Sequence, residues 1–167
     1  MFKLISKTIA AVAIVSVALF GSAHAKTLKI ETHFTASSPN GEVAAQFAKN
    51  VEKFSGGSLK VQMFYSSSVT GKSAEVFNSA QTGIIDCDMT GAGYQTGKNA
   101  AFQFAGDVMG GYDNPYQQYE FLNFPGAQEA VDALYNKYGM TLIGWWIPGH
   151  ESLISSRPIP DVASLKD

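Results

Sequence analysis

Side chains that could do chemistry are few in this sequence, and they are scattered. His150 and Glu151 stand side by side after the run GWWIPG. A histidine beside a carboxylate is two thirds of an acid–base relay, provided a nucleophile faces it. A serine nucleophile belongs in an elbow such as G-x-S-x-G. Ser66-Ser67-Ser68 lacks glycine at both required places, and the only other histidines are His24 and His33. Cys87 is the sole cysteine and cannot form an internal disulfide, so it reads as a small buried hydrophobe rather than a reactive thiol. There is no CxxC, no HExxH and no histidine cluster. Neither a metal centre nor a cofactor is called for. Arg157 is the only arginine, the usual clamp for carboxylates. These residues suit holding a small molecule better than transforming one.

The elements that must position them begin with Thr27 to Phe34, TLKIETHF, whose alternation predicts a strand. Ser37-Ser38-Pro39 supplies a cap and a first-turn proline. Val43, Phe47, Val51 and Phe54 follow at helical spacing, and Gly56-Gly57 stops that helix. Leu59 to Tyr65 predicts a second strand, Ser73 to Gln81 a helix closed by Gly83, and Ile84 to Thr90 a third strand. Alternating strands and helices predict an α/β fold with a mainly parallel sheet and helices on both sides.

Beyond it lies a glycine-rich loop, Gly91 to Ala101. Asp113-Asn114-Pro115 caps a short aromatic helix with Tyr116, Tyr119 and Leu122. Ala127, Ala130, Val131, Leu134 and Tyr138 mark an amphipathic helix stopped by Gly139. Met140 to Ile147 predicts an apolar fourth strand. Val162 to Asp167 looks like the start of another helix or turn, so the chain is expected to be the N-terminal portion of a longer protein.

The first 25 residues are read separately. Lys3 and Lys7 precede the apolar run TIAAVAIVSVALF, and Ala23-His24-Ala25 has the small-x-small cleavage pattern. This is a secretory signal peptide, too short for a comfortable bilayer span of ~20 residues. The mature chain, from about Lys26, is expected to be soluble, exported and periplasmic. Once Lys3 and Lys7 leave, it carries ten basic against fourteen acidic residues, with nothing to attract nucleic acid or a membrane surface.

Several segments together resemble one family. They are THFTASSPNGEVAAQFAKNVEKFSGGSLKVQMFYSSSVTGKSAEVFNSAQTGIIDCDMTGAGY, then YNKYGMTLIGWW, then SSRPIPDVASLKD. The Ser-Pro-x-Gly helix start, the Gly-Gly-x-Leu-x-Val-x-x-Phe join and the Gln-x-Gly-x-x-Asp strand entry carry the likeness through their order and spacing. The chain is similar to the solute-binding protein of a TRAP (tripartite ATP-independent periplasmic) transporter, of the C4-dicarboxylate-binding, DctP-like type. The resemblance implies a periplasmic-binding-protein-like fold of two lobes that close over a small organic acid and deliver it to the membrane permease subunits. It divides the chain into signal peptide (1–25), first lobe (26–149), and crossover with the start of the second lobe (150–167).

In open α/β sheets ligands sit beyond the carboxyl ends of the strands. Phe34, after the first strand, could wall a pocket or pack on Pro39. Gly93 and Tyr94 follow the third strand; the tyrosine offers a ring face and a hydroxyl, and the glycine lets backbone approach a ligand. Trp145 and Trp146 should face opposite sides of the fourth strand. Which one lines the cleft the sequence leaves open, and Trp146 stands as the candidate. The resemblance places His150 where relatives carry an arginine or glutamine that touches the acid; Glu151, beside it, could orient it or hold a cation. Histidine there makes a keto or other monocarboxylate as plausible as a dicarboxylate. Arg157 falls where the family has a solvent-facing strand end and reads as structural. An exported α/β hydrolase and an ABC-type receptor are the competing readings; the first lacks its elbow, and the leader has no lipobox cysteine to support the second.

Overall fold

The computed structural model describes residues 25–106, 108, 110–147 and 154–165. They form two compact units, one closing at Thr90 and the other starting at Gly91.

The first unit is a βαβαβ arrangement. Strand β1 (Lys26–Thr32) leads to helix α1 (Pro39–Phe54), strand β2 (Leu59–Phe64), a 3-10 turn (Ser73–Glu75), helix α2 (Val76–Gln81) and the short strand β3 (Cys87–Met89). All pairing is parallel, in the order β2-β1-β3. Lys26 lies opposite Leu59 on one side of β1, and Ile30 opposite Cys87 on the other. The chain goes from β1 to β2 on one flank and then crosses to β3 on the other. The direction of winding therefore reverses at β1, between β1 and β3, and such a switch point opens a crevice at the carboxyl ends.

Local chemistry explains α1. Ser38 is its N-cap, with Oγ accepting the N–H of Gly41 at 3.0 Å, and Pro39 fits the first turn, where no N–H is required. Gly56 and Gly57 take φ of 60° and 81° and end the helix. Its buried face differs from the predicted stripe. Gly41, Ala44 and Ala48 are buried, whereas Val43 and Phe54 are exposed. The small side chains, three and four residues apart, let α1 lie close on β2, and they outcompete the bulkier row for that face. Gly41 is the tightest point, because a Cβ there would run into the carbonyl of Thr35. Ile30, Ala44, Val76, Phe77 and Ile85 make the core of this unit.

The second unit holds 3-10 turns at Ala92–Gln95 and Ala100–Ala105, helices α3 (Pro115–Asn123) and α4 (Pro125–Asn136), and a last 3-10 turn at Val162–Leu165. Asn114 caps α3 by accepting the N–H of Gln117 at 3.1 Å, as the Asp-Asn-Pro signal predicts. The fully buried Phe102 ring meets Tyr135 edge-on at 5.2 Å and Tyr138 at 5.5 Å. Gln118 Nε2 donates to the Gly106 carbonyl at 2.7 Å. The predicted strand over Met140–Ile147 is not formed. A strand needs a partner for its ladder, and among the described residues none pairs with this segment, so its apolar run stays irregular. Among the described residues no helix is long and apolar enough to cross a membrane.

Candidate functional site

The carboxyl edge of β1 carries Glu31, Thr32, His33 and Phe34 in succession. Both Glu31 and Thr32 are fully buried, although they should lie on opposite faces of the strand. A central parallel strand is covered on both sides, and this one is. His33 and Phe34 are half-buried and stack with ring centroids 3.9 Å apart at 37°. Burial lowers the pKa of His33, which favours a neutral imidazole able to donate one hydrogen bond.

The segment after β2 folds over this edge. Ser66 N–H donates to the Phe34 carbonyl at 3.0 Å and Ser67 N–H to the Thr32 carbonyl at 3.1 Å. Ser66 and Ser67 both adopt left-handed backbone, with φ of 57° and 50°. Such geometry costs roughly 1–3 kcal/mol per non-glycine residue and concentrates where a loop must hold a particular shape. Here it turns the next amides inward. Val69 N–H donates to Glu31 Oε1 at 2.6 Å, and Thr70 N–H approaches the same oxygen at 3.4 Å. The loop is thus a small backbone nest, and the anion it holds is an internal carboxylate.

Asp88, on β3, is the register partner of Glu31. Its carboxyl is pushed up to about 6. Burial is the main cause, and the Glu31 carboxylate beside it adds to the rise. The Thr90 hydroxyl and N–H oppose it. They exceed the contribution of Glu31 but do not outweigh burial. Nearby, burial also pushes the Cys87 thiol up, with Asp86 adding to the effect, so it is not a thiolate nucleophile.

The predicted residues are dispersed over the two units. Phe34 sits at the switch-point edge of the first unit, stacked on His33. Gly93 and Tyr94 share one 3-10 turn in the second, whose inner residues Ala92 and Gln95 are buried while Tyr94 is about half exposed. The same turn packs against Ala100–Ala105, where the site of a Gly106 Cβ lies 3.2 Å from the Gly93 amide. Trp146 is half-buried in the irregular segment, so no strand alternation separates it from Trp145. His150 and Glu151 lie outside the described residues. Arg157 is exposed, and its Nη2 donates to the Ser164 carbonyl at 3.2 Å, a local tie that fits the structural reading. His33, Glu31 and Asp88 were not singled out by the sequence as site residues. The signal for His33 was available, since it sits at the carboxyl end of the first predicted strand, next to Phe34. Among the described residues no group of three or more His, Cys, Asp or Glu side chains could hold a metal ion.

The first unit is a parallel α/β unit whose winding reverses at its central strand, with the His33–Phe34 pair at that edge. The chain belongs to the bacterial extracellular solute-binding proteins of family 7, the DctP family, whose model matches residues 30–167. Among solved structures it is similar to a TRAP periplasmic solute-binding protein from Rhodobacter sphaeroides in an apo open form. The two are 25% identical with a TM-score of 0.65, over 71% of this chain and 37% of that one. A Pseudoalteromonas atlantica counterpart with bound sodium and pyruvate gives 20% identity and a TM-score of 0.62, over 68% of this chain and 34% of that one. A Bordetella pertussis extracytoplasmic solute receptor binding pyroglutamic acid gives 21% and 0.59, over 71% and 38%. The chain therefore spans between a third and two fifths of the length of these relatives. No curated protein matches it significantly.

Proposed function

We propose that this chain supplies the first lobe, and the crossover into the second, of a periplasmic receptor that captures a small organic acid for a TRAP-type transporter. The observation that carries the reading is the His33–Phe34 pair at the carboxyl edge of β1, where the winding of a family 7 fold reverses. A neutral His33 can donate to a ligand carboxylate while the Phe34 ring covers an apolar flank. Gly93, Tyr94, Trp146, His150 and Glu151 are assigned to the same task from other segments. Tyr94 supplies a hydroxyl, His150 a second donor to the acid, and Glu151 the group that orients it. Relatives with bound pyruvate, pyroglutamic acid and L-malate support a small organic acid, whether a monocarboxylate or a dicarboxylate. The chain is assigned no catalytic step. Capture needs only differential affinity between open and closed lobes, and release goes to the membrane permease subunits. The signal peptide read at 1–25 is assigned to take the chain to the periplasm.

A thermal-shift screen of the product of the whole frame against organic acids tests this. An acid that binds the folded state raises the melting temperature, by an amount set by its concentration relative to Kd. Stabilisation by a keto acid or another small carboxylate is expected. Absence of any shift, together with turnover of an ester, would replace the receptor by the hydrolase.

A further inference from the structure

We propose that Glu31 and Asp88 share a single proton, so that the pair acts as a pH-sensitive latch on the loop that folds over the carboxyl edge of the sheet. The inference concerns the first unit alone and does not depend on which solute the receptor takes. Glu31 and Asp88 are register partners on adjacent parallel strands, so their side chains leave the same face of the sheet. Glu31 is fully buried, and its Oε1 is committed to the Val69 and Thr70 amides. Its other oxygen, Oε2, is shielded from solvent and has no hydrogen-bond partner, as is Asp88 Oδ1. As carboxylate oxygens on register partners, both can only accept, and burying both unsatisfied is costly. One proton on Asp88, donated to Glu31 Oε2, satisfies both at once. The pair then carries one negative charge, and the nest amides of the loop already face it. When that proton leaves to solvent the charge becomes two, and repulsion acts on the carboxylate that anchors Val69 and Thr70.

The charged groups of the neighbouring elements are exposed or engaged elsewhere. Lys29 and Asp86, at the solvent end of the same two strands, are exposed, and the Asp86 carboxylate accepts the Lys29 N–H at 2.8 Å. Lys72 on the loop and Glu75 in the following turn are exposed, and Glu75 accepts from Asn78 at 2.8 Å. Helix α2 carries no titratable side chain. On the β2 side, Glu52 accepts the Val61 N–H and pairs with Lys60 at 3.6 Å. His33, at the end of β1, has a lowered pKa and stays neutral near pH 7. The raised pKa of Asp88 agrees with a retained proton.

Carboxyl-carbon NMR of the intact wild-type chain from pH 4 to 8 tests the latch, read alongside hydrogen-exchange protection of the Val69 and Thr70 amides. Asp88 is expected to titrate with a midpoint near 6, and protection of Val69 and Thr70 to fall several-fold above it. In Asp88→Asn, whose amide donates at every pH, protection should stay at the low-pH level. An Asp88 midpoint at the ordinary value near 4 would overturn the proposal. So would a pH response in Asp88→Asn equal to wild type. So would displacement of the step to lower pH by millimolar calcium or sodium, which would mark a cation site. Should the variant not fold, the wild-type titration decides alone.

Discussion

The Ser66 amide donates to the Phe34 carbonyl at 3.0 Å, extending the contact between β1 and the β2 side one step past the end of the sheet. Ser66 makes that bond with φ 57°, a conformation that favours glycine. Ser66→Gly is therefore expected to stabilise the first unit by about 1 kcal/mol, and Ser66→Val to destabilise it by at least as much. Urea unfolding of the three proteins measures both. Equal midpoints would mean that the loop strain is released some other way.

Gly41→Ala should destabilise more than a substitution at an exposed helix site. Alanine is ordinarily the better helix former by ~1 kcal/mol. Here its methyl would strike the Thr35 carbonyl and lie 2.9 Å from that of Ala36, both backbone atoms. The start of α1 would have to move, at a cost of roughly 1–3 kcal/mol. The same unfolding assay reads it, and a neutral result would show that the turn before Ser38 yields easily.

The pH dependence of stability has a definite sign. Asp88 holds its proton more tightly in the folded chain than in the unfolded one, with a pKa near 6 against 3.8. Between these values the folded state binds more protons, so its stability falls as pH rises, and the loss is complete above about 6. The contribution is roughly 2–3 kcal/mol at most, from ~1.4 kcal/mol per pKa unit. Melting temperatures of wild type are expected to decline from pH 4 to 6.5 more steeply than those of Asp88→Asn. Parallel curves would remove Asp88 as the cause.

Ser38→Ala removes the acceptor for the Gly41 amide and should cost about 1 kcal/mol, seen as a lower urea midpoint. An unchanged midpoint would mean that solvent satisfies the start of α1 as well as the serine does.

The elements with local causes were legible in the sequence. Ser38-Pro39 and Asn114-Pro115 announced their helices because a cap is chosen by residues within one turn. The parallel sheet followed from the alternation of β1, α1, β2, α2 and β3. What failed depended on partners distant in sequence. Met140–Ile147 has the composition of a strand but lacks a neighbour among the described residues. Val43 and Phe54 have the period of a buried face, yet Ala44 and Ala48 took it because close approach to β2 favours small side chains. Glu31 looks like the polar member of an alternating strand and is fully buried, because β1 lies between two neighbours. Its pairing with Asp88 spans 57 positions and is set by register alone. Of the candidate site, Phe34 was found from strand polarity. His33, its stacked neighbour, was open to the same strand-end argument but has no spacing of its own to mark it as a ligand contact.

Calorimetric titration of the intact receptor with pyruvate, pyroglutamate and a C4-dicarboxylate, in wild type and His33→Ala, tests most directly whether the β1 edge holds an organic acid. The account predicts one-to-one binding of at least one of them, weakened about tenfold or more by His33→Ala through loss of a hydrogen bond to a charged group. Heat from none of the acids, or the same affinity in the variant, would contradict it.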